Sequence, residues 1–206
     1  MFARFSHVLP LIVSIPLISS LKSPLPDHDV HEQVWIVPIT PGGPTVTVNG
    51  TVQQLFEQLT KINPNYEAEF PPQTPDIGQP RSDSDKRDIQ DHMMGRYSCA
   101  YDFYGVGLGF IRSEFVERGL VEYLDKVPGS PKLAPVSCSR VSCDLAQGIW
   151  WCNHDPWEKS LENFKVIADA AREVIKLCKH GTLGEGAGQI EFQDHWSVIY
   201  RADAQC

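Results

Sequence analysis

Cysteine placement constrains this chain more than any other feature. All six cysteines, Cys99, Cys138, Cys143, Cys152, Cys178 and Cys206, follow residue 98, and residues 1–87 hold none. An even set of thiols confined to one region predicts a disulfide framework formed in an oxidising compartment. Three bridges are expected, with fifteen pairings open. A zinc site is the competing reading, but no C-x-x-C occurs and the 138, 143, 152 spacing matches no ligand knuckle. Geometry removes one pairing. If Cys138 and Cys143 share an extended strand, their separation of roughly 16 Å is far beyond the ~7 Å a disulfide tolerates.

The N-terminal region supplies the export signal that such chemistry requires. Arg4 precedes an apolar run from Val8 to Ile18, interrupted by Pro10 and Pro16, and Ser19 and Ser20 follow. The run fits a cleaved signal peptide over residues 1–20 and is too short to cross ~30 Å of hydrocarbon. A buried strand or an N-terminal anchor is the alternative. Residues 71–85 are rich in Pro, Gln, Ser and Asp and poor in large apolar side chains, so an exposed, protease-accessible linker is expected there. The dibasic pair Lys86-Arg87 ends it. The expected organisation is therefore a leader (1–20), a pro-segment (21–87) with one amphipathic helix and a disordered linker, and a mature disulfide-bonded domain (88–206). A kexin-type protease would cut after Arg87.

Within the pro-segment, Val34 to Thr40 and Thr45 to Val48 read as strands around a Pro-Gly-Gly-Pro turn. Thr51 with Gln54 forms a capping box ahead of Val52, Leu55, Phe56, Leu59 and Ile62 at helical spacing, and Pro64 stops that helix. Its apolar face needs a partner, and the mature domain is one candidate, with the segment acting as a folding aid or mask. Asn49-Gly50-Thr51 is also an N-glycosylation sequon, although Asn and Thr are equally ordinary at a helix start.

The mature region reads as two helices among strands. Tyr97 to Tyr104 suits a strand, and a helix follows over about 111–127, ended by Pro128-Gly129. Ser137 to Cys143 and Gly148 to Cys152 form a hairpin around 144–147. The second helix is capped by Ser160 and carries Phe164, Ile167, Ala171, Val174, Ile175 and Cys178 on one stripe, which turns Cys178 toward a sheet cysteine. Gln189 to Phe192 and Trp196 to Arg201 make the last hairpin, and Cys206 pins the terminus. The fold class is thus α+β: a small two-layer sandwich, two helices on a mainly antiparallel sheet, stapled by disulfides.

From Asp88 onward, 17 acidic residues face 12 basic ones, a balance near −5 that argues against nucleic acid or an anionic membrane as partner. No later stretch is apolar enough to span a bilayer. Four histidines fall in this part: His92, His154, His180 and His195. The pairs His154-Asp155 and Asp194-His195 lie beside no serine in a nucleophile-elbow context, so no catalytic residue, metal site or cofactor is assigned. Glu122 with Lys126 is spaced for a solvated helix face. Trp150 and Trp151 would face opposite sides of a strand, one in the core and the other open to binding unless helices cover both, and Trp157 and Trp196 lie nearby.

The strings Cys138-Ser-Arg-Val-Ser-Cys143 and Gly148-Ile-Trp-Trp-Cys-Asn153, the helix at Ile167-Ala-Asp-Ala-Ala171, Cys178 and the closing hairpin with Trp196 and Cys206 resemble a group of small secreted fungal proteins. The resemblance covers about residues 97–206 and departs at His154-Asp155, where acidic or amide residues are more usual. It implies an effector-like extracellular role, and the strand-helix-strand doublet is similar at fold level to killer-toxin sandwiches, which carries no function by itself. The expected function is therefore an effector- or toxin-like binding factor whose partner is an extracellular protein or glycan. A secreted hydrolase or carbohydrate-binding protein using His154, His195 or an exposed tryptophan is the alternative, and a structural cell-wall protein is a third.

Overall fold

The computed structural model describes residues 21–70, 93–99, 117–178 and 186–206. The leader, the linker with Lys86 and Arg87, His92, the glycines at 105–109, His180 and the glycine-rich loop beyond it lie outside the described residues. In chain order the elements are β1 (Asp29–Val30), β2 (Val34–Pro38), β3 (Thr45–Asn49), α1 (Val52–Ile62), α2 (Tyr66–Glu69) and β4 (Met93–Cys99). A π-helical turn at Glu117–Val121 runs into α3 (Glu122–Asp125), followed by β5 (Lys132–Leu133), β6 (Ser137–Asp144) and β7 (Gln147–Asn153). The last elements are β8 (Lys159–Ser160), α4 (Phe164–Leu177), β9 (Gly188–Phe192) and β10 (Trp196–Ala202).

Six strands form one sheet in the order β1-β6-β7-β10-β9-β4, and every pairing is antiparallel except the parallel contact of β1 with β6. The fold is a small α+β sandwich stapled by three disulfides, as the element pattern predicted. Its helical layer is wider than expected. α4 lies over β9 and β10, while α1 lies over β6 and against α3, so a helix from the cysteine-free region completes the layer. Arg172 of α4 pairs with Asp125 of α3 and locks these two helices together.

Local chemistry explains most boundaries. The capping box of α1 is complete: the Gln54 N–H donates to Thr51 Oγ1, and the Thr51 N–H donates to Gln54 Oε1. Val52, Leu55, Phe56 and Leu59 form its buried stripe. One boundary differs from expectation. α4 is capped by Asn163, whose Oδ1 accepts from the Val166 N–H at 3.1 Å, and not by Ser160. Ser160 instead pairs with Lys132 in the β5–β8 ladder, and an extended residue cannot also open a helix. The strand read at Tyr97 to Tyr104 is also earlier than read, at Met93–Cys99, and residues 101–104 lie outside the described residues.

Both faces of the central strands are covered. On one face, Trp151, Ile149, Val198 and Tyr200 join Trp35, Val37, Leu55, Leu59 and the α4 stripe in a single core. On the other, Trp150 and Ile199 pack with the Cys138–Cys152 bridge beneath Leu21, Leu25 and Val30. The alternation expected of Trp150 and Trp151 holds, and neither side chain is exposed. Residues 21–66 therefore supply cover to both sheet faces. Each large side chain they bury is worth about 1.5–3 kcal/mol.

The bridges pair Cys99 with Cys178, Cys138 with Cys152 and Cys143 with Cys206. The first ties the sheet edge to the end of α4, as the stripe of that helix predicted. The second crosses β6 and β7 in register. Cys138 and Cys143 have different partners, as strand geometry required.

Candidate functional site

The most distinctive polar cluster sits at one end of the sheet, where β6 starts, β7 finishes and β10 starts. Asn153, fully buried, organises it. Its amide nitrogen donates to the carbonyls of Leu133, Ala134 and Trp157, and its oxygen accepts from the Asp155 N–H at 2.9 Å. These bonds hold the 154–157 loop in one shape. The His154 N–H donates to the carbonyl of His195 at 2.9 Å, which brings the two histidine loops together. His195 itself turns the β9–β10 hairpin with φ of 61°.

The His154 ring is bonded on both sides. Its Nδ1 lies 2.9 Å from His28 Nε2, and its Nε2 lies 3.0 Å from Ser197 Oγ. Tautomers follow from the chain of partners. A carbonyl only accepts, so His28 Nδ1 donates to Pro26 O at 3.3 Å and its Nε2 must accept. His154 Nδ1 then donates to His28, and with the ring neutral its Nε2 accepts from the Ser197 hydroxyl. Burial, followed by the neighbouring His28 and His195, lowers its pKa to about 4, with Lys159 adding to the effect and Asp155 opposing it.

Ser, His and His in hydrogen-bonded series can in principle activate a hydroxyl. Here Ser197 has no solvent exposure, so no substrate reaches its oxygen. Asp155 is buried and paired with Lys159 at 2.7 Å. A groove of about 450 Å³ runs along α1, bordered by Gln53, Phe56, Glu57 and Tyr123, and none of the described histidines lines it. Among the described residues, no three His, Cys, Asp or Glu side chains are grouped to hold a metal ion, and no helix is long and apolar enough to cross a membrane.

Of the tryptophans, Trp196 stacks on Phe192 at 3.8 Å inside the core. Trp150 is buried between strands that carry Arg140 and Arg201, whose guanidinium carbons lie 5.8 and 5.7 Å from its ring. Only Trp157 of the five, 63 % exposed on the loop that Asn153 shapes, presents its ring to solvent. Asn49 is exposed at the end of β3, while Thr51 of the same sequon is buried as the helix cap. Lys86 and Arg87 lie outside the described residues.

Sequence reading missed Ser197, His28 and Asn153. His28 and His154 are 126 residues apart, and nothing local marks them as partners. Asn153 was within reach: a polar residue ending the Ile-Trp-Trp-Cys run is a signal of a loop organiser. No family model matches the chain, and no curated protein or solved structure matches it.

Proposed function

We propose that the chain is a secreted, proteolytically matured extracellular factor, effector- or toxin-like, that acts by binding and not by catalysis. The carrying observation is the closed thiol inventory: all six cysteines pair, and none is free. Such a framework is typical of proteins that fold in an oxidising compartment. The resemblance of the Cys138–Asn153 strings to small secreted fungal proteins supports the same reading, and so does the buried position of Ser197. In this reading a kexin-type protease cuts after Arg87, and exposed Asn49 carries a glycan. Intact-mass analysis of the protein exported by a eukaryotic host tests it. The expected product has lost the leader, lacks the six thiol hydrogens of the three bridges and shifts in mass on removal of N-glycans. Reactive thiols, or an uncut chain retained in the cytosol, would overturn it.

A second reading has one specific observation in its favour. Trp157 is a large aromatic face held out by a rigid loop, the kind of surface on which a sugar ring stacks. Titration with soluble chitin and β-glucan oligosaccharides, followed by tryptophan fluorescence, tests carbohydrate binding. A saturable change that Trp157→Ala abolishes favours it, and no change with either sugar removes it.

A further inference from the structure

We propose that residues 21–70 remain docked after the chain is cut at Lys86–Arg87, so that the matured protein is a non-covalent pair of chains. The inference rests on the dibasic cut proposed above but concerns what happens after it. No cysteine lies in the segment, and all three bridges join residues of 99–206 to one another. Attachment after a cut therefore depends on packing alone.

That packing has the character of an interior and not of a removable cover. Trp35 is fully buried and stacks on Phe164 of α4, ring centroids 4.5 Å apart. Phe56 packs on Tyr123 of the disulfide body at 5.2 Å. Trp151 Nε1–H donates to Gln33 Oε1 at 3.0 Å, deep between the layers. Gln53 reaches three groups of the body at once. Its amide nitrogen donates to Gly119 O and Ser142 Oγ, and its oxygen accepts from the Cys143 N–H at 3.0 Å. Departure would break these bonds and expose two apolar faces of core to water.

Topology adds a second hold. The segment adds β1 as the edge strand beside β6, where Asp29 N–H and His31 N–H donate to Val136 O and Cys138 O. From there it covers one sheet face with Leu21, Leu25 and Val30 and the other with Trp35 to Tyr66. It grips β6 from both sides. A clasp of this shape leaves only by opening both contacts, which slows dissociation more than association.

The test treats the folded, exported full chain with a kexin-type protease. A non-reducing denaturing gel should show two polypeptides, while gel filtration at neutral pH and about 1 µM should show one peak containing both. Exchange of the nicked segment against labelled segment should speed up about tenfold in a Gln53→Ala variant. Two separate peaks, or exchange complete within the dead time, would overturn the proposal. If the protease fails to cut, the dibasic reading falls, and a variant with a site-specific protease sequence inserted after Arg87 takes over. Co-elution of its nicked halves still supports retention, and their separation overturns it.

Discussion

Between pH 6.5 and about 4 the folded chain keeps His154 neutral while the unfolded chain protonates it. The native state then binds fewer protons, so stability is complete above 6.5 and is lost as the pH falls toward 4. Burial sets the direction, and among the groups facing the ring His28, His195 and Lys159 add to it while Asp155 opposes it. Allowing for solvent screening of a partly exposed ring, acid should cost about 1–2 kcal/mol through this residue. Urea unfolding at pH 7 and pH 4.5 should show the loss, and His154→Gln should remove that share of the pH dependence. Gly188 is a second sensitive position. A methyl group there would lie 2.5 Å from Cys178 Sγ and 2.7 Å from Ser98 O, neither of which can retreat. Gly188→Ala should destabilise the protein by about 1–3 kcal/mol in the same assay.

At the scale of elements, the β6–β7 hairpin turns through Leu145 and Ala146, with φ of 49° and 59°. Two side-chain-bearing residues in the left-handed region cost about 1–2 kcal/mol each, and Asn-Gly is the pair such a turn prefers. Replacing Leu145-Ala146 with Asn-Gly should raise the thermal midpoint and stabilise by about 1 kcal/mol or more, measured by calorimetry. This hairpin was legible from sequence because its two apolar runs flank a four-residue gap. α1 was legible for a similar reason, since both halves of its capping box lie within four residues. The start of α4 was not, because Ser160 is claimed by Lys132, a partner 28 positions away that no local pattern reveals. The same limit hid the site: the bond between His28 and His154 and the sheet order β1-β6-β7 are set by long-range pairing. The partner of α1's apolar face was open for that reason too, and the structure places that face against β6 and α3.

Across the whole molecule, the three staples differ in reach. Cys138 and Cys152 close a separation of 14 residues, whereas Cys99 and Cys178 close one of 79. In the chain-entropy model these are worth about 3 and about 4.5 kcal/mol, so the long bridge matters more to global stability. Paired serine variants should reproduce that order in denaturant midpoints, with Cys99→Ser/Cys178→Ser the weaker protein.

Because the cysteine-free stretch lines the inside of the sheet as well as its rim, anyone who expresses residues 88–206 alone will obtain a protein with its lining torn out. The bared indoles of Trp150 and Trp151 would cling to detergents, column matrices and unrelated proteins. Stickiness in such a preparation would report a wound in the preparation and not a natural appetite for partners.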